Sequence, residues 1–244
     1  MKKLLNRNVR KGERGNVLFL ILIAVALFAA LSYAVTSSSR SGGSDANSET
    51  NLISGATITQ YPASVRTAII RMIVSNNIGS DELMFNPPAQ YGDVGYVTTQ
   101  GVFHPDGGGA TFAPAPADVV IGSTPQDWVF NAENEIYFVG VSGTTEDTVI
   151  TASADIIAFL PNVQRNICER INEELGVGAP PVESGIDIST EMENTTGILS
   201  AAGGGTIGDY TVSAGTASDL NAQPYGCFQQ PAGTYNYYHV LVER

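Results

Sequence analysis

Residues 11–35 read KGERGNVLFLILIAVALFAALSYAV, and this stretch decides the architecture. Lys2, Lys3, Arg7, Arg10, Lys11 and Arg14 precede Gly15, and they make up half of the 12 Lys and Arg residues of the chain. From Val17 to Val35 only Ser32 and the tyrosine hydroxyl interrupt an apolar run. At 1.5 Å per residue such a run makes a helix of roughly 28 Å, about the hydrocarbon thickness of a bilayer. Basic flanks resist translocation, so the basic end is expected in the cytoplasm and the C-terminal bulk on the far side.

The resulting division is a basic leader over 1–15, a hydrophobic helix over 16–35, a polar linker or helix extension over 36–50, and an exported globular domain over 51–244. The polar stretch TSSSRSGGSDANSET has few core formers. About 200 residues suffice for a domain with its own core. From Gly15 onward six arginines (Arg40, Arg66, Arg71, Arg165, Arg170 and Arg244) face 23 acidic residues, and lysine is absent after Lys11. Nucleic acid needs a basic footprint and is excluded as a partner on this ground.

Within the domain the patterning predicts an α+β fold with an antiparallel sheet and two amphipathic helices. Apolar residues spaced by three and four predict one helix over Pro62–Ser75, with Pro62 in its first turn, stopped by Asn76-Asn77-Ile78-Gly79. Ile156, Leu160, Val163, Ile167, Ile171 and Leu175 fall on one helical stripe. They predict a second helix over Ile156–Leu175, with Pro161 in its first turn and Gly176 as its stop. Asp81 to Pro125 is rich in Gly and Pro and reads as loop. Trp128–Phe130 and Glu135–Val141 read as a hairpin, Tyr210–Val212 as a short strand, and YNYYHVLV over Tyr235–Val242 as a sheet strand. Cys168 and Cys227, the only cysteines, read as one disulfide in an exported chain, the alternative being two buried thiols.

Residues that could carry chemistry are sparse. His104 in Phe103-His104-Pro105-Asp106 reads as turn more readily than metal ligand, and His239 as a half-buried sheet residue. Gly203 to Gly208 (GGGTIG) lacks the lysine of a phosphate loop, and Gly107 to Gly109 fails likewise. Glu133/Glu135, Glu173/Glu174 and Glu191/Glu193 have no calcium-loop spacing, and Asn194-Thr195-Thr196 is a common glycosylation pattern. The residues therefore argue for a protein that is not an enzyme and call for no cofactor and no metal.

Lys11-Gly12-Glu13-Arg14-Gly15, then Asn16 and Val17-Leu18-Phe19-Leu20, resembles the class III signal of type IV pilins and type II secretion pseudopilins. The resemblance covers residues 11 to 40 and implies cleavage by a prepilin peptidase between Gly15 and Asn16, with methylation of the new N-terminus. It implies a structural filament subunit whose partners are other pilin-like subunits through the N-terminal helix, the peptidase, and membrane lipid before assembly. Location would be the cytoplasmic (inner) membrane, single-pass, with a periplasmic or extracellular domain, or an extracellular filament. Two positions depart from the family pattern. Asn16 stands where Phe is usual, and Leu20 where a Glu meets the N-terminal amine of a neighbour, which favours a minor or pseudopilin-type component. The rival expectations are a membrane-anchored acidic binding domain, and a secreted one cleaved after Ala34, where Ser32 and Ala34 are suitably small.

Overall fold

The computed structural model describes residues 14–122, 124–136, 139, 154–189, 206–207 and 220–243. Surroundings of side chains in the first helix are described for 18–33 and from Glu49 onward, and residues 206–207 are described by backbone alone. Two compact units divide at Glu49/Thr50.

Helix α1 is assigned over Arg14–Asn76. That assignment takes in the polar stretch 36–50. In the first unit, the large apolar side chains from Leu18 to Tyr33 are all exposed, at 40–77%. Among the described residues no helix is long and apolar enough to cross a membrane.

In the second unit α1 becomes one-sided. Ile58, Val65, Ile69 and Met72 are buried in the core, at the three- and four-residue steps that put side chains on one helical face. Pro62 lies inside this helix and not in its first turn. Proline removes the bond to the carbonyl four residues back, at a cost of about 3 kcal/mol in an isolated helix. Here the helix runs through it, with Pro62 itself buried and the neighbouring Tyr61 ring 5.1 Å from that of Trp128. Tertiary packing outweighs propensity. The stop falls where expected: Asn77 takes φ 54 and the Ile78 amide donates back to the Met72 carbonyl.

Strands β1 (Val129–Asn131), β3 (Ile156–Leu160), β6 (Tyr235–Val242) and β5 (Tyr225–Gln229) form one antiparallel sheet in the order β1-β3-β6-β5. A separate parallel pair joins β2 (Glu135–Ile136) to β4 (Thr206–Ile207). Alternation along the strands gives the sheet two apolar faces. Phe130, Ile156, Ala158, Leu160, Cys227 and Tyr237 share a core with α1 and with Ile167 and Ile171 of helix α2 (Arg165–Glu174). Val129, Ile157, Phe159, Phe228, Tyr238 and Val240 pack on the opposite side with Val177, Ile186 and Leu220.

Two sequence expectations are corrected here. The helix expected over Ile156–Leu175 is a strand followed by a shorter helix: Ile156–Leu160 is β3, and α2 starts only at Arg165. All five β3 residues are buried because the strand is interior and covered on both faces, so it shows no alternation and its apolar run passes for a helical stripe. Asn162 at φ 58 turns the chain between strand and helix. Gly176, at φ 73, does end α2: its amide bonds the Glu173 carbonyl and that of Val177 the Asn172 carbonyl, a Schellman motif.

The expected hairpin is the second correction. β1 pairs with β3, Phe130 opposite Ala158, and β2 pairs with β4, so among the described residues the two segments are not each other's partners. Asn131 and Asn134, which lie between the two segments, are buried; both side-chain amides donate to the Asp187 carbonyl, at 2.8 and 2.6 Å. That network ties the segment to a distant part of the chain. Tyr210–Val212, Glu191, Glu193, Asn194 and the glycines of 203–205 lie outside the described residues.

Asp81 to Pro125 is loop with two single 3-10 turns, Pro88–Gln90 and Thr98–Gln100. Its first excursion closes at its base, where the Met84 amide bonds the Gln100 carbonyl at 3.0 Å and the Val102 amide bonds that of Met84 at 2.9 Å.

Candidate functional site

Gly15 and Asn16 fall in the first turn of α1, with their side-chain surroundings outside the described residues. The apolar positions that follow satisfy little of their surface within the chain: Leu20 is 60% exposed and Phe28 72%. By area, contiguous exposed apolar surface of this kind is unfavourable in water.

The second half of α1 is held in the core and by the segments that flank the sheet. Tyr61 inserts between Trp128 and the Ala113 amide, and burial pushes its phenol up to about 12, against the lowering effect of that amide's hydrogen bond. Arg71 donates to the Gly108 carbonyl. A β-carbon on Gly108 would run into the Val102 carbonyl and Met72 Sδ, so this glycine of Gly107 to Gly109 serves close backbone approach to α1. Arg66 pairs with Glu243 at 2.9 Å across the helix and the end of β6.

The structure joins Cys168 of α2 to Cys227 of β5, with Cα atoms 5.4 Å apart. Beside the bond lies a feature with no signal in the sequence. Asn172, fully buried, donates from Nδ2 to the Cys227 carbonyl and accepts from the Cys227 amide at Oδ1, both at 2.9 Å. Its carboxamide thus takes the place of a neighbouring strand's peptide on the outer edge of β5. Two residues on, the Gln229 amide bonds the Pro181 carbonyl and the Glu183 amide bonds the Gln229 carbonyl. This edge is closed against strand addition, the usual hazard of an exposed edge.

His104 sits in a tight turn, where its Nδ1 accepts the Asp106 amide at 3.1 Å. Its ring lies against Tyr91, with centroids 4.8 Å apart. Among the described residues no group of His, Cys, Asp and Glu could hold a metal ion. Glu173 and Glu174 both pair with Arg170, on the surface of α2. Burial raises the Glu135 carboxyl above its ordinary range.

His239 is more deeply placed than a half-buried residue, at 8% exposure on β6. Its Nδ1 is 2.9 Å from the Tyr237 hydroxyl, and its ring stacks on Tyr225 of β5 at 5.5 Å and 15°. Burial first, and the Arg66 guanidinium second, lower its pKa to about 4. No residue pairs it into a nucleophilic triad among the described residues.

No family model matches the chain, and neither a curated protein nor a solved structure is similar to it.

Proposed function

We propose that this chain is a structural subunit of a type IV pilus-like or type II secretion pseudopilus-like filament, of the minor or pseudopilin type. The observation that carries the reading is the contrast within α1. Leu18 to Tyr33 expose apolar side chains in every direction, whereas from Ile58 to Met72 the same helix keeps one face in the core of a folded domain. A segment apolar all round needs surroundings that are apolar all round: lipid before assembly, other helices after it. The basic leader ending at Gly15 supplies the orientation and the cleavage point. Val17 and the residues after Tyr33 extend the apolar run in sequence on both sides of the described side chains, giving it the length to span.

The Glu-to-Leu departure at Leu20 supports a position in which no neighbour's amine needs a carboxylate. The closed β5 edge fits assembly through helices and not through added strands. The proposed work is packing and display, without turnover, by a subunit that is cytoplasmic-membrane-bound until assembly.

Mass spectrometry of the mature protein tests this. A chain starting at Asn16 supports the reading. One starting at Val35 makes it a secreted acidic domain, and one starting at Met1 a simple membrane-anchored domain; either overturns the proposal.

A further inference from the structure

We infer that His239 is a proton-sensitive latch between β5 and β6, closed at neutral pH and opened by acid. The inference stands apart from filament assembly, because every group in it belongs to the second unit.

The geometry sets up the switch. The imidazole lies flat on Tyr225, its Nδ1 faces the Tyr237 hydroxyl, and the guanidinium of Arg66 on α1 is the charged group acting on it from the helix. Glu243, at the end of β6, is already engaged by Arg66 at 2.9 Å. Across the strand on β3 stands Ala158, which carries no charge. Tyr237 is fully buried and burial holds its phenol well above the usual range, so it remains a neutral hydroxyl with one proton to place. A neutral imidazole carrying its proton on Nε2 accepts that proton at Nδ1. Once the imidazole is charged, both ring nitrogens are donors. The Tyr237 hydroxyl must then accept instead, its own proton must find another partner in a dry site, and a second cation faces Arg66. All three consequences oppose charging the folded state.

The sign of the pH dependence follows. In the unfolded chain His239 takes up its proton near the ordinary histidine value of about 6.5. In the folded chain it does so only near pH 4. Between these values the unfolded state binds more protons, so stability is complete above the unfolded value and falls as pH drops toward the folded one. The folding equilibrium constant loses up to about tenfold per pH unit across that window from this one group.

The test uses the full chain in detergent micelles. Urea unfolding is followed by Trp128 fluorescence, which reports on the Tyr61 contact with α1, at pH 7 and pH 5. His239→Asn keeps an acceptor where Nδ1 stands but cannot charge. Between these pH values the folding equilibrium constant of wild type should fall about tenfold or more further than that of His239→Asn. Equal pH dependence in the two proteins overturns the latch. Should the substituted protein fail to fold, the histidine ring proton resonances of wild type decide alone: a His239 titration midpoint well below 6 in the folded protein supports the inference, and one near 6.5 overturns it. Arg66→Gln should raise that midpoint, and no movement would remove the helix from the mechanism.

Discussion

The two halves of α1 draw on the same kinds of apolar side chain and do opposite things. From Leu18 to Tyr33 the apolar side chains point everywhere and stay exposed. From Ile58 to Met72 they return at steps of three and four, interleaved with Thr, Ser, Gln and Arg, and are buried against the sheet. The difference teaches that composition sets how strongly a helix avoids water, while periodicity sets whether its own chain can satisfy it. A stripe can be covered by one sheet; a helix apolar on all sides needs a surrounding that one folded domain does not supply.

The largest expected effect comes from loosening the domain that holds the second half. Replacing Cys168 and Cys227 by Ser frees a loop with a sequence separation of 59 residues. In the chain-entropy model this costs roughly 4 kcal/mol, a large share of ordinary domain stability. Denaturant unfolding of oxidised wild type against the double variant measures it, and a difference under about 1 kcal/mol would mean that the denatured chain is already compact around this loop.

The halves themselves are compared by matched truncations. Ile69→Ala removes a fully buried side chain and should cost about 2–5 kcal/mol of unfolding free energy. Leu22→Ala removes one that is 61% exposed and should change domain stability by less than about 0.5 kcal/mol while weakening whatever packs on the first half. Comparable losses of stability in both would erase the distinction.

Asn172→Ala gives a smaller effect, about 1–3 kcal/mol, because it leaves the buried amide and carbonyl of Cys227 without their outer partners. Faster hydrogen exchange at the Cys227 amide would locate the loss at the β5 edge.

What the sequence makes legible follows the same division between local and non-local causes. Tyr235–Val242 is readable because β-branched and aromatic residues cluster without glycine, and the stop at Asn77 because asparagine tolerates left-handed backbone. The disulfide is readable from a lone pair of cysteines once the domain is read as exported. Ile156–Leu160 misleads because a strand covered on both faces carries no alternation, and Leu160, Val163, Ile167 and Ile171 happen to lie at helical steps across a strand, a turn at Asn162 and a helix. The pairing of Phe130 with Ala158, the Asn172 clasp on Cys227 and the Tyr225–Tyr237–His239 cluster all join residues whose meeting is decided by strand order, and no local pattern announces that. Of the candidate site, the basic stretch ending at Gly15 and the apolar run after Asn16 are visible in sequence, whereas the seat of α1 in the core needs the fold.

The smallest effect on the folded domain, and the sharpest question about the first half, belongs to Leu20→Glu. Leu20 is 60% exposed and belongs to the first unit, so unfolding of the domain should be unchanged within about 0.5 kcal/mol. Its consequences lie outside the domain. Burying an ionised side chain near the middle of a bilayer costs roughly 2.5–3.5 kcal/mol on insertion scales, so a simple anchor should lose membrane retention. In a pilin-like subunit the same carboxylate can meet the N-terminal amine of a neighbouring copy, and charge pairing offsets the cost of leaving water. Fractionation therefore separates the readings. Altered incorporation into sheared filaments, with the domain equally stable, is the outcome expected of a minor subunit given the family's usual residue. Unchanged membrane retention together with absence from sheared filaments, for wild type and variant alike, would count decisively against a role in any filament, because the first half would then be neither charge-sensitive in lipid nor packed against its own kind.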